Sequence, residues 1–198
     1  MSRVLFALSG LLFLLYPAVR PWDDETTVAG AYDSMSSQAW VFSHLFAMIG
    51  FILVPLGLLA LRDRLGLGPA VTAWVGAGLT LPYYGAEDFG LHGIATTGAR
   101  DTLLATADAV RFGGVPATMF AAGLLTFGAG AVWAAIALWR TEFRYPAALF
   151  ALGFALFIPQ FYLPPVARIA HGVIVFAGCV WFGLATAQRR VLSGQGAA

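Results

Sequence analysis

The sequence predicts an all-α, polytopic membrane bundle of about six transmembrane helices, forming a single domain over residues 1–198. Three observations predict it. The chain is 60% hydrophobic and only 11% charged, whereas soluble domains run nearer about half apolar and about a quarter charged. Its apolar residues lie in long runs, close to the ~20 residues a helix needs to cross a hydrocarbon core. The runs are continuous rather than alternating, which argues against strands, and open sheet edges are not tolerated in lipid.

The first run is about Val4 to Val19, bounded by Arg3 and Arg20. Arg3 ahead of an apolar stretch also fits a signal peptide. No small-x-small cleavage site follows, the sequence being Pro17-Ala18-Val19-Arg20, so a short membrane helix is expected. Pro21 to Gln38 reads as a polar connection carrying Asp23, Asp24, Glu25 and Asp33. The second run spans about Ala39 to Leu61 and the third about Pro69 to Ile94. Thr96 to Arg111 is polar again, and Asp101-Thr102-Leu103-Leu104 can open a short surface helix. The fourth run covers about Phe112 to Trp139, the fifth about Tyr145 to Leu163 and the sixth about Val166 to Ala187, before a small-residue tail at Ser193 to Ala198.

Arginine placement orients the bundle. With the N-terminus inside, the cytoplasmic ends carry Arg3, Arg62, Arg64, Arg140, Arg144, Arg189 and Arg190, and the outer ends carry Arg20, Arg100, Arg111 and Arg168. This asymmetry follows the positive-inside rule and puts both termini in the cytoplasm. Trp22 and Trp40 are then expected at the outer interface, and Trp74, Trp139 and Trp181 at the inner one.

Composition also excludes chemistry. The net charge of +1 gives no field for nucleic acid, and all eleven basic residues are Arg. Without Lys there is no Schiff base and no Walker-type phosphate loop; without Asn there is no N-glycosylation. The single Cys179 rules out an internal disulfide and a Cys-x-x-Cys redox site.

Ionisable groups within a membrane are costly and point to function. Here nearly all of them fall in one outer layer. The third run carries Tyr83, Tyr84, Glu87, Asp88, Phe89 and His92; the second contributes Trp40, Ser43 and His44; later runs add Gln160, Tyr162, Arg168 and His171. On an uninterrupted helix, Tyr84, Asp88 and His92 form one stripe. Adjacent carboxyls near imidazoles perturb one another, as acid–base sites require. The catalytic candidates are therefore Glu87, Asp88 and His92. Trp40, His44, Tyr83, Tyr84, Phe89, Tyr162 and His171 are the candidate substrate-binding residues. Aromatic faces also stabilise a carbocation. The plainer alternative is a structural tie of Glu87 or Asp88 to Arg111 or Arg168.

With Glu87-Asp88 facing an aromatic pocket, the chain resembles the small integral membrane terpene cyclases of bacterial and fungal meroterpenoid pathways. The run Tyr83 to His92 also looks like that of small actinobacterial membrane proteins of uncharacterised activity. The first resemblance implies a metal-free enzyme that protonates an olefin or epoxide on a prenyl chain and lets it cyclise.

Acid–base chemistry on a lipid-soluble, isoprenoid-type substrate, without a cofactor, is thus the leading expectation. Its partners would be the lipid bilayer and a small hydrophobic molecule. A second expectation is a metal or haem site on His44, His92 and His171. Three His and a carboxylate suit zinc, and two His suit haem b. His44 and His171 each precede an Arg (Arg62 and Arg189) by 18 residues, which sets them at similar depth. A third is a small proton-coupled transporter using the same acids.

Overall fold

The computed structural model describes residues 1–98 and 100–187, and these are all-helical with no strand. In chain order come α1 (Ser2–Val19), α2 (Val28–Met35), α3 (Gln38–Leu59), α4 (Arg62–Leu65) and α5 (Gly68–Gly85). A π-helical turn, Ala86–Gly90, leads into α6 (Leu91–Thr97), and a 3₁₀ turn, Arg100–Thr102, into α7 (Leu103–Phe112). Then come α8 (Gly114–Ala137), α9 (Arg144–Ala155), α10 (Phe157–Gln160) and α11 (Pro165–Ala187).

Four of these helices, α1, α3, α8 and α11, are long and apolar enough to cross a membrane. The chain is a membrane protein built on at least these four. The expectation of about six spans narrows at two places. The third run is broken after Gly85, where Pro82 supplies no backbone N–H and the chain passes into the π turn. The fifth is divided at Leu156 between α9 and α10.

The long elements nevertheless close into a ring. Around it α1 packs on α3, α3 on α5, α5 on α8, α8 on α9, α9 on α11 and α11 back on α1. Small residues let the backbones approach, as helix pairs in lipid require. A Cβ on Gly123 of α8 would lie 2.5 Å from Thr80 Oγ1 of α5, and one on Gly10 of α1 would lie 2.8 Å from Cys179 Cβ of α11.

Phenylalanine fills the middle of the ring. Phe6 meets Phe150 and Phe182 edge-on, with centroids 5.5 and 5.1 Å away. Phe13 meets Phe51 at 5.0 Å and Phe154 at 5.4 Å, and Phe51 meets Phe127 at 4.9 Å. Edge-to-face packing of this kind makes a solid core rather than a pore.

The ends of the ring differ. At one, Arg3, Arg62 and Arg64 border a shared pocket, and Arg64 Nη1 donates to the Thr186 carbonyl at 2.9 Å. At the other, Arg20, Arg111 and Arg168 line a common cavity. Arg189, Arg190 and the tail Ser193 to Ala198 lie outside the described residues.

The two polar connections expected at the outer end are more ordered than their composition indicates. Helices α2, α6 and α7 form a cap with its own core, in which Met35, Trp40, Leu91, Leu103 and Ala107 are buried. Thr27 Oγ1 caps α2 by accepting from Gly30 N at 3.1 Å, and Ser37 Oγ caps α3 by accepting from Trp40 N at 3.1 Å. Trp40 is fully enclosed under this cap. It is not the interfacial anchor expected from the sequence, whereas Trp74, Trp139 and Trp181 are about half exposed.

Candidate functional site

The Ser37 cap fixes where α3 begins, and so sets Trp40 and His44 one turn apart on one face. The His44 ring lies 4.3 Å from the Trp40 ring, and its Nδ1 donates to the Trp40 carbonyl at 2.8 Å. That bond fixes the Nδ1–H form and leaves Nε2 to face Glu87 Oε2, 4.0 Å away. Ser43 Oγ donates to the same Trp40 carbonyl at 2.7 Å.

Glu87 sits in the π turn. There the Leu91 N–H donates back five residues to the Ala86 carbonyl. Such a turn absorbs an extra residue and swings the downstream helix by about 100° relative to an unbroken α-helix. The Trp40 indole N–H donates to the Glu87 carbonyl at 3.3 Å and braces the turn from α3.

The Glu87 carboxylate belongs to a chain of charges. Arg111 Nε donates to Glu87 Oε1 at 2.8 Å, and Arg111 Nη2 lies 2.8 Å from the same oxygen. Arg111 Nη2 also lies 2.7 Å from Glu25 Oε2, and Arg20 Nη2 lies 2.7 Å from Glu25 Oε1. Arg20, Glu25, Arg111 and Glu87 therefore alternate in sign and sum to zero. Burial works against the Arg111 charge, but Glu87 and then Glu25 outweigh it and hold the guanidinium above its usual range. Beside this chain, Asp24 is held below the usual carboxylate range by hydrogen bonds from the Thr26 hydroxyl and N–H. The Trp40 indole underlies both cations, with the Arg20 and Arg111 guanidinium carbons 4.9 and 5.6 Å from its centroid.

The charges open onto a cavity of about 740 Å³. Its walls are aromatic and aliphatic: Tyr16 from α1, Tyr83 from α5, Phe120 and Leu124 from α8, and Ile158 and Phe161 near α10. Tyr83 and Phe120 stack at 4.0 Å with an interplanar angle of 20°. Trp22, Arg168 and Tyr162 also border the cavity, and Tyr162 is 87% exposed. Size and lining fit a lipid-soluble ligand with a polar end.

Of the residues singled out in the sequence, Glu87, Tyr83 and Tyr162 line the cavity, with His44 and Trp40 directly behind Glu87. Tyr84 is buried on the core side, its ring 5.9 Å from both Tyr16 and His44. Asp88 is fully buried, does not line the cavity, and neither of its carboxylate oxygens has a hydrogen-bond partner among the described residues. Phe89 is 56% exposed on the outside of the bundle.

The expected convergence of three imidazoles is corrected. His92 does not continue the Tyr84–Asp88 stripe, because the π turn intervenes; its Nδ1 donates to the Met35 carbonyl of α2 at 2.8 Å. His171 donates from Nε2 to the Gly153 carbonyl of α9 at 2.7 Å and packs on Phe157. Each His thus serves a different backbone carbonyl. Among the described residues no three His, Cys, Asp or Glu side chains gather to hold a metal ion. The zinc set on His44, His92 and His171 therefore does not form.

The expected alternative tie of Glu87 to Arg111 is present, and Arg168 pairs instead with the neutral Gln160. Sequence reasoning missed Glu25, Tyr16 and Phe120. Glu25 had a faint signal, an acid five residues after Arg20. Phe120 had none, being one of sixteen Phe in the chain.

No family model matches the chain, and no curated protein or solved structure matches it.

Proposed function

We propose that this chain is a six-pass protein of the bacterial plasma membrane, with both termini cytoplasmic, and that it performs acid–base chemistry on a lipid-soluble substrate in its outer cavity. The two interrupted runs, through α5 and through α9 with α10, complete the ring of six and support the higher count. The excess of Arg at the end that carries Arg3, Arg62, Arg64, Arg140 and Arg144 over the end that carries Arg20, Arg100, Arg111 and Arg168 supports the orientation.

One observation carries the chemistry. Glu87 is the acid that both faces the aromatic cavity and has an imidazole nitrogen without another partner beside it. Its Oε1 is fixed by Arg111, which sets the carboxylate's direction. Its Oε2 faces His44. In this reading Glu87 exchanges protons with the substrate and His44 holds the proton behind it. The Arg111 guanidinium keeps the resting Glu87 carboxylate ionised, so Glu87 carries a proton only in transit. A proton given to a prenyl olefin therefore starts on His44 and crosses Glu87 Oε2, and the proton lost from the final cation returns to Glu87. The substrate is isomerised with no net gain of atoms. Tyr83, Phe120 and Phe161 offer ring faces to the intermediate cation. The terpene-cyclase-type reaction is this case.

The test is solvent exchange. Purified protein in nanodiscs is incubated in D₂O with farnesol, farnesyl monophosphate, squalene and a prenylated phenol. Wild type is expected to place solvent deuterium in an isomer of one substrate, and Glu87→Gln to place none. Deuterium incorporation that is equal in the two proteins would overturn the role of Glu87. No incorporation into any substrate by wild type would overturn the chemistry.

A further inference from the structure

We infer that the cavity holds its ligand by an anionic head group on Arg168, so that the ligand is an amphiphile ending in phosphate or carboxylate. This rests on the reading of the cavity as a lipid-substrate site and adds the chemistry of the substrate's polar end.

The cations around the cavity are not equivalent. Arg20 and Arg111 are consumed by Glu25 and Glu87. Arg168, which also lines the cavity, has no carboxylate within 4.0 Å among the described residues. Its Nε donates to Gln160 Oε1 at 3.1 Å, and Gln160 is buried and neutral. Its Nη groups have no acceptor among the described residues. The guanidinium carbon lies 4.7 Å from the Trp22 ring centroid and 5.1 Å from the Phe161 centroid. Contact with two rings and a bond at Nε restrain the fork before a ligand arrives, which lowers the cost of binding.

A restrained guanidinium with both Nη groups open recognises two oxygens of one anionic group. Aromatic and aliphatic walls lead away from it, through Phe161, Ile158 and Phe120 to Leu124. A chain attached to the bound head would lie along these walls. Glu87, on the same cavity, would then face the chain rather than the head, since a second anion there would repel the head group.

The test is a binding titration read by tryptophan fluorescence, because Trp22 borders the cavity and touches Arg168. Farnesyl monophosphate, farnesol and inorganic phosphate are each titrated into protein in an uncharged detergent. Farnesyl monophosphate is expected to bind tighter than farnesol by on the order of tenfold or more, as for a hydrogen bond to a charged group, with inorganic phosphate weaker than both. Arg168→Gln should erase the preference while farnesol affinity stays. Gln160→Glu supplies the missing carboxylate without removing Arg168 and should erase the preference too, which guards against misfolding of the first variant. Competition by phosphatidylglycerol in nanodiscs would assign the anionic head to a bilayer lipid; no competition would assign it to a dedicated substrate. Equal binding of farnesol and its phosphate by wild type, or a preference that survives in both variants, would overturn the inference. If neither amphiphile binds, the lipid-substrate reading fails first and takes this one with it.

Discussion

His44 Nε2 stands 4.0 Å from Glu87 Oε2, while Nδ1 of the same ring is committed to the Trp40 carbonyl at 2.8 Å. Each group is thus anchored on its far side and free on the near one. The consequence is a difference in what each mutation moves. Glu87→Gln removes a partner of Arg111 and should lower stability by about 2 kcal/mol, less than the loss of an isolated buried pair because Glu25 still holds Arg111. His44→Gln breaks no ion pair at bonding distance and should leave the melting temperature nearer wild type. Both should abolish solvent-deuterium exchange. Melting in detergent run beside the exchange assay checks this, and a His44→Gln protein with normal exchange would remove His44 from the chemistry.

Glu25 bridges Arg20, just after α1, and Arg111 of α7, and so ties the cap to the ring. Its side chain is 14% exposed, so both ion pairs are largely out of water. Glu25→Gln should cost about 2–3 kcal/mol. The loss should appear first in the cap, where α2 and α7 rest on a small core. Hydrogen exchange should quicken in 28–35 and 103–112 while α8 and α11 stay protected. Uniform loss of protection across the bundle would contradict this local role.

The π turn shows why the sequence disclosed the outer layer but not its internal arrangement. The apolar runs report burial directly, so the helical bundle was legible, as was the gathering of Glu87, Tyr83, His44 and Arg111 near one end. The stripe Tyr84–Asp88–His92 assumed 3.6 residues per turn throughout. One i−5 bond at Leu91 voids that assumption and sends His92 to Met35. Glu25 was obscure for another reason: pairing between a connection and α7 leaves no periodic trace in either segment. The cap helices were hidden by their polar composition, although Thr27 and Ser37 are residue types that favour helix N-caps.

Orientation has a clean reporter because Cys179 is fully buried. Ser34 is a poor probe site, since it is buried and its hydroxyl donates to Asp23 Oδ2 at 3.1 Å. Asp33 is exposed at the end that carries the cavity, and the side chain of Asp63 is 74% exposed at the other. In intact cells an impermeant maleimide should label Asp33→Cys and spare Asp63→Cys. The reverse pattern would invert the proposed topology and move the cavity to the cytoplasmic side.

The α5–α8 contact depends on absent side chains. A Cβ on Gly123 would meet Thr80, and one on Gly130 would come 2.7 Å from Ala73 N. The second obstacle is backbone and cannot rotate away. Gly130→Ala should therefore force the helices apart and cost about 1–3 kcal/mol. Gly78→Ala is the control, because nothing lies within 4 Å of its Cβ position. Equal melting temperatures for the two variants would show that α5 and α8 do not pack this closely.

Asp88 and His92 supply the sharpest test of which acid matters. Asp88 is fully buried and away from the cavity, whereas Glu87 lines it. Asp88→Asn should therefore leave solvent-deuterium exchange within about twofold of wild type, since the amide preserves shape and the site's proton path does not include it. His92 holds Met35 of the cap through one hydrogen bond. His92→Ala should cost about 1 kcal/mol of stability for that bond. It should not shift the pH optimum of exchange, because no imidazole then changes beside Glu87. His44→Ala serves as the contrast and should abolish exchange or move its optimum. The decisive measurement is the pH profile of deuterium incorporation for the three variants side by side. A shifted optimum in His92→Ala together with loss of exchange in Asp88→Asn would transfer the catalytic role from Glu87 to Asp88, and with it the route by which substrate must approach.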